Sequence, residues 1–196
     1  ITTVPSWLEI LSKAGDKLKN SESLKQILVT GSQLKPHIRK KFSDLTNVII
    51  ENYYGLTETG GLCTATNNSI NGEIDIQESS IGFPAGAVIN IIDEQGKLVD
   101  LNQTGLLRVY SNQLMDRYLD DPSSTLESID NGWFLTGDLA YWDEEGRIYL
   151  VGRNDDLLKL RDGSRMHPNV LEGLLTQLPD VNDAAVLITE PFNSLL

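Results

Sequence analysis

The amino-acid sequence predicts a partial α/β sheet that gives way to a β-rich region, with an α+β unit opening near the end. Three observations carry this expectation. Short β-branched runs alternate with helical spacing as far as Ile50. Two matched turns, Asp93-Glu94-Gln95-Gly96 and Asp143-Glu144-Glu145-Gly146, each sit between β-rich runs. A proline-led stretch with apolar residues at helical spacing begins at Pro168.

Residues 7–11 have the apolar spacing of a helix, and Pro5 suits its first turn, where a missing N–H leaves no bond unmade. Residues 27–29 are a short β-rich run that ends at Thr30-Gly31-Ser32. Pro36 can open a second helix through Phe42. Residues 47–50 then read as a buried strand leading into Asn52-Tyr53-Tyr54-Gly55. Strand, loop, helix, strand favours parallel pairing, because parallel neighbours need a crossover between them.

After about Ile74 the texture changes. Residues 88–92 and 97–99 flank the first acidic turn, and residues 140–142 and 147–151 flank the second. Each set reads as a hairpin whose Gly supplies the positive φ of the turn. With residues 105–110 between them, the region is expected to form a small antiparallel sheet or distorted barrel. The final helix places Val170, Leu171, Leu174, Leu175 and Leu178 on one face, with Pro179 beyond it, and residues 184–188 read as a last buried strand. The expected division is 1–153 as part of a large domain (1–73 α/β, 74–153 β-rich), then 154–196 as a hinge and the start of a small domain.

Sixteen basic and 28 acidic residues give a formal net charge of −12, which argues against a nucleic-acid partner, since such binding draws on cations at phosphates. A nucleotide is still admissible, because a few amides, one cation or a metal suffice to hold it. The longest apolar run, residues 184–188, falls far short of the roughly 20 residues of a membrane span. Cys63 is the only cysteine, so no internal disulfide is available, and no secretory signal is visible. A cytoplasmic location fits both features.

Three clusters carry chemistry. The run from Tyr54 offers an aromatic face for a base, a glycine for close backbone approach, the Thr57 hydroxyl for a phosphate and the Glu58 carboxylate for Mg²⁺. Asp138, after Thr136-Gly137, can accept two hydrogen bonds from vicinal ribose hydroxyls. Arg153, in Gly152-Arg153-Asn154-Asp155-Asp156, offers a fork of donors for hydroxyls or phosphate. Taken singly, each also suits a polar turn beside a core strand.

Taken in order, these segments resemble the adenylate-forming superfamily of AMP-binding enzymes: acyl- and aryl-CoA synthetases, luciferases and peptide-synthetase adenylation domains. Tyr54-Gly55-Leu56-Thr57-Glu58 is similar to the family's YGxTE, and Trp133-Phe134-Leu135-Thr136-Gly137-Asp138-Leu139 to its W(F/Y)xTGDL. The stretch from Gly152 to Glu172 resembles GRxDDxIKxxGxxxxPxEIE; Thr30-Gly31-Ser32 and Gly82-Phe83-Pro84 are lesser matches. The resemblance implies an acetyl-CoA synthetase-like fold and an ATP-dependent acid–thiol ligase. Gly31 and Ser32 would line the adenine or acyl pocket, and Tyr54 would stack on adenine beside Gly55. Thr57 would touch the α-phosphate and Glu58 would hold Mg²⁺, making these two the catalytic pair. Asp138 would grip the ribose with help from Arg153. Asp155 would be the hinge and Gly163 the glycine on the thioester side. ATP, Mg²⁺, a small carboxylic acid, CoA or a phosphopantetheine thiol, and a carrier protein are the implied ligands and partners.

The family's phosphate loop is expected ahead of residue 1 and its catalytic lysine beyond Leu196, so residues 1–196 alone are expected to be inactive. Lys35 and Lys159 match neither motif, Leu106 stands where Glu is usual, and residues 160–165 carry one residue more than the commonest form. Thr59-Gly60-Gly61 favours a CoA ligase, whereas Asn52 leans toward a peptide-synthetase adenylation domain. A non-catalytic nucleotide-binding or carrier-interacting remnant is the third reading.

Overall fold

The computed structural model describes residues 1–13, 23–32, 34, 36–46, 48–66, 80–159, 165–176, 178, 180–181 and 184–186. At the N-terminal end come β1 (Thr2–Thr3), α1 (Pro5–Ser12), β2 (Gln26–Val29), α2 (Pro36–Leu45) and β3 (Ile49–Leu56). The first three strands pair in parallel, with Leu28 opposite both Thr2 and Glu51. Alternation along β2 turns Ile27 and Val29 inward, where they meet Leu8 of α1, Ile38 and Phe42 of α2, and Ile50 of β3. Burying this set removes the apolar side of both helices from water, which is what holds short helices to a sheet. The buried Arg39 guanidinium donates to the Ile50 carbonyl at 3.1 Å, tying α2 to β3.

β3 is longer than the sequence suggests. It runs through Asn52-Tyr53-Tyr54-Gly55 rather than ending before them, because β4 (Gly61–Ala65) folds back antiparallel upon it. The return is so tight that a Cβ on Gly55 would overlap the Gly61 carbonyl. Here the sheet changes from parallel to antiparallel. It continues through β5 (Ser80–Pro84), β6 (Val88–Ile92), β7 (Gly105–Tyr110), β8 (Ile129–Asp130), β9 (Trp133–Trp142) and β10 (Ile148–Arg153), with α3 (Pro122–Ser128) preceding β8. The spatial order is β1-β2-β3-β4-β5-β10-β9-β7-β6, with β8 on β9. Cys63, Ile81, Ile91, Leu107, Val109, Ala140 and Ile148 form a second core within this β-rich part.

The second acidic turn closes the β9–β10 hairpin as expected. Asp143 caps it, accepting the Arg147 amide at 2.8 Å and the Arg147 Nε at 2.7 Å. Burial alone would raise the Asp143 pKa, but these bonds to Arg147 hold it below its ordinary value. Tyr141 and Tyr149, directly opposite in the ladder, stack at 5.0 Å. At the first acidic turn residues 97–99 form no named strand but do turn back on β6: the Asp93 amide donates to the Lys97 carbonyl at 2.8 Å and the Val99 amide to the Ile91 carbonyl at 3.1 Å, with Leu98 bridged to Ile92. The full partner of β6 is β7, because Gly105 lets the two backbones close to within 2.5 Å of where its Cβ would stand.

Beyond β10, β11 (Leu158–Lys159) and β12 (Arg165–Met166) make a separate two-stranded sheet, followed by α4 (Pro168–Leu175). The expected apolar face of α4 is exposed at Val170, Leu174 and Leu175. The expected last strand is not seen over residues 184–186, and Leu187 and Ile188 lie outside the described residues. Among the described residues no helix is long and apolar enough to cross a membrane.

Candidate nucleotide site

Asp138 does not follow a turn. It lies inside the ten-residue β9, where the register against β7 slips between Leu106 and Arg108. The extra residues bulge at Thr136-Gly137, with Gly137 at φ 74°. The Thr136 hydroxyl fixes the bulge from both sides: it donates to the Leu107 carbonyl at 2.9 Å and accepts the Asp138 amide at 3.0 Å. A Cβ on Gly137 would stand 2.8 Å from Nη2 of Arg153, so the glycine makes room for the guanidinium.

Arg153 is the ladder partner of Asp138, so the pairing of the two follows from the β9–β10 register. Its Nη1 donates to the Thr136 carbonyl at 2.7 Å and to Oδ1 of Asp138 at 3.2 Å. From β3, across the sheet, the Tyr54 hydroxyl donates to Oδ2 of Asp138 at 2.6 Å. Burial first, then the charge and hydrogen bond of Asp138, push the Tyr54 pKa far above its ordinary value. Asp138 is thus buried at 8% exposure yet has a donor on each oxygen. A carboxylate has about four lone-pair directions, so acceptor capacity is left over for further hydroxyls.

These residues border a cleft of about 240 Å³ that Gly31 and Ser32 also line, with Ile81 and Leu150 as apolar lining. Gly31, Ser32, Tyr54, Gly55, Asp138 and Arg153 are therefore brought together from three strands and the loop after β2. Thr57 and Glu58 do not line this cleft. They occupy the short 3-10 turn Thr57–Thr59 just past β3, with Thr57 exposed and Glu58 half-buried. Asp155 is exposed in a tight turn, where the Leu157 amide donates to the Asn154 carbonyl at 3.4 Å. Gly163 lies outside the described residues.

Sequence reading missed two neighbours. Asn52, buried and lining the cleft, serves in the sequence only to choose between families. Tyr118, in the loop after β7, donates its hydroxyl to Oε1 of Glu58 at 2.9 Å. Sixty positions separate that pair, and no spacing rule links them.

Residues 1–119 match the family model described as AMP-binding enzyme. The chain belongs to the AMP-binding enzyme family. The chain is 32% identical over 192 residues to 4-coumarate–CoA ligase 1 of Glycine max, covering 94% of the chain and 64% of that protein. It is 32% identical over 188 residues to 4-hydroxybutyrate–CoA ligase 1 of Metallosphaera sedula, covering 93% and 32% respectively. Among solved structures it superimposes on O-succinylbenzoate coenzyme A synthetase from Bacillus subtilis in complex with ATP and magnesium ion. The TM-score is 0.83 at 26% identity, over 98% of this chain and 39% of that one. The chain spans well under the full length of each relative.

Proposed function

We propose that the chain is the nucleotide-gripping part of an ATP-dependent ligase that activates a carboxylic acid as its acyl-adenylate and passes the acyl group to CoA. The observation that carries this reading is the double-donor hold on Asp138 at the edge of a cleft. A preset, half-satisfied carboxylate suits a vicinal diol, since its free lone pairs accept two hydroxyls without the side chain having to reorganise. Tyr54 is pinned by its hydroxyl, so its ring offers a fixed edge or face to a base lying toward Gly31 and Ser32. Arg153 spans the Thr136 carbonyl and Asp138 and keeps its other nitrogens for the nucleotide.

Glu58 would hold Mg²⁺ that arrives with the phosphates. Among the described residues no group of three or more His, Cys, Asp or Glu could enclose a metal. A lone carboxylate still fits Mg²⁺, which keeps several waters and takes phosphate oxygens for the rest. When bound, the ion neutralises charge on the phosphates. Thr57, exposed at the start of the same turn, would donate its hydroxyl to the α-phosphate as the acid attacks there and pyrophosphate leaves. Asp155 would be the hinge between 1–153 and 154–196, and Gly163 would face the thiol. A carrier-protein acceptor is the second reading, and the single buried Cys63 favours a reducing compartment such as the cytoplasm.

The deciding experiment is ATP–pyrophosphate exchange by the intact protein across a panel of aliphatic and aryl acids. Exchange dependent on one acid, followed by its CoA thioester, supports the ligase. Nucleotide binding without exchange for any acid would favour the non-catalytic remnant, and exchange confined to amino acids the peptide-synthetase reading. Residues 1–196 alone are expected to show no exchange.

A further inference from the structure

The loop between β7 and α3 packs against the turn that carries Glu58, and it does so through both backbone and side chains. The Met115 amide donates to the Glu58 carbonyl at 2.7 Å, and the Ser111 hydroxyl to the Thr59 carbonyl at 3.4 Å. At Gly60, the left-handed residue closing the turn, a Cβ would stand 2.5 Å from the Cβ of Gln113, so loop and turn are in direct contact there. The last contact is the Tyr118 hydroxyl on Oε1 of Glu58 at 2.9 Å.

Tyr118 is itself held from behind. Asp121 caps α3 through the Ser124 amide at 3.0 Å and both neighbouring serine hydroxyls. Within that capped turn the Thr125 hydroxyl donates to the Asp121 carbonyl at 2.9 Å and accepts the Tyr118 amide at 3.0 Å. A Glu side chain on a surface turn ordinarily samples several rotamers, and holding it in one has an entropic cost. Here one oxygen is fixed by a phenol anchored to a capped helix.

We propose that Tyr118 is a positioning residue for the metal-binding carboxylate: it fixes Oε1 of Glu58 so that Oε2 is presented to the cation. This rests on the reading that Glu58 takes Mg²⁺. Tyr118 acts through Glu58 rather than through a contact of its own with nucleotide or metal. Its effect is to remove the rotamer search that Glu58 would otherwise undergo when the ion arrives, the general advantage of preorganisation.

The test uses the intact protein and three variants: Tyr118→Phe, Glu58→Gln and Thr125→Val. The readouts are the Mg²⁺ concentration giving half-maximal ATP binding, AMP binding without metal, and thermal stability. Tyr118→Phe is expected to raise the Mg²⁺ requirement roughly fivefold to tenfold, the span of one hydrogen bond to a charged group discounted for exposure, while AMP binding holds. Thr125→Val, which frees the Tyr118 amide, is expected to give a smaller shift in the same direction. Saturating Mg²⁺ should restore the Phe variant. If Glu58→Gln shifts the Mg²⁺ requirement and Tyr118→Phe does not, the positioning role is wrong and the metal reading stands. If neither shifts it, the metal reading fails and the inference goes with it. Loss of AMP binding or stability in Tyr118→Phe with an unchanged Mg²⁺ requirement marks a structural role and overturns the proposal. Should the Phe variant not fold, the Thr125→Val shift decides in the same way.

Discussion

The Tyr54 hydroxyl reaches Oδ2 of Asp138 at 2.6 Å across 84 positions of sequence. That bond joins the strand closing the parallel part of the sheet to a bulge in the antiparallel part. It also sets the two residues proposed to meet base and ribose at a fixed distance from one another. The mirror contact, Arg153 on Oδ1 at 3.2 Å, needs no such reach, since the two residues face each other in the ladder.

Removing the Tyr54 hydroxyl takes a donor from a buried carboxylate. Tyr54→Phe is expected to lower stability by about 1–3 kcal/mol near neutral pH. The alkaline behaviour should change as well. The folded state keeps Tyr54 protonated well above the 10.0 at which a free tyrosine ionises. The stability it contributes is therefore complete below about pH 10 and declines as pH rises further, where the unfolded chain loses a proton and the folded chain does not. Denaturant unfolding of both proteins at about pH 8 and about pH 10.5 checks this: the Phe variant should decline less steeply. Parallel declines would mean that burial and Asp138 do not hold Tyr54 protonated.

Asp138→Asn preserves shape but turns one acceptor oxygen into an NH₂ group, which must face either the Tyr54 hydroxyl or Arg153. ATP and AMP affinity are both expected to fall by about 1.5–3 kcal/mol, the range for hydrogen bonds to a charged partner. Calorimetric titration of the intact protein measures it. Unchanged affinity for both nucleotides would remove Asp138 from the ribose site.

Gly137→Ala places a Cβ in a left-handed residue, 2.8 Å from the Arg153 guanidinium. The backbone term alone should cost about 1–2 kcal/mol, and Arg153 must move as well. A lower melting temperature together with weaker ATP binding is expected. Weaker binding without a stability change would mean that the bulge adjusts freely and the glycine serves the nucleotide directly.

Asp155 stands second in the Asn154–Leu157 turn, the position where proline's fixed φ is best tolerated. Asp155→Pro should therefore leave the observed arrangement intact while restricting its change. Adenylate formation is expected to persist, whereas transfer to CoA falls by about tenfold or more. Separate assays of the two half-reactions test it, and equal thioester rates for variant and parent would sink the hinge assignment.

The sequence by itself determined the parallel N-terminal strands, the β-rich middle, the helix at Pro168 and the family, because these are local signals. A proline at a helix start, a glycine in a turn and alternating apolar residues each act within a few positions. It also named Gly31, Ser32, Tyr54, Gly55, Asp138 and Arg153, all of which border the cleft. Only the tertiary structure decided how they meet. It set Tyr54 within a strand and Asp138 beside a bulge, where a polar turn would also have suited the residues, because backbone amides there find ladder partners far away in sequence. It likewise gave β6 a full partner in β7, beside the short return of residues 97–99. And it brought Tyr118 to Glu58, a contact no spacing encodes, since a loop's reach depends on where the capped α3 anchors it.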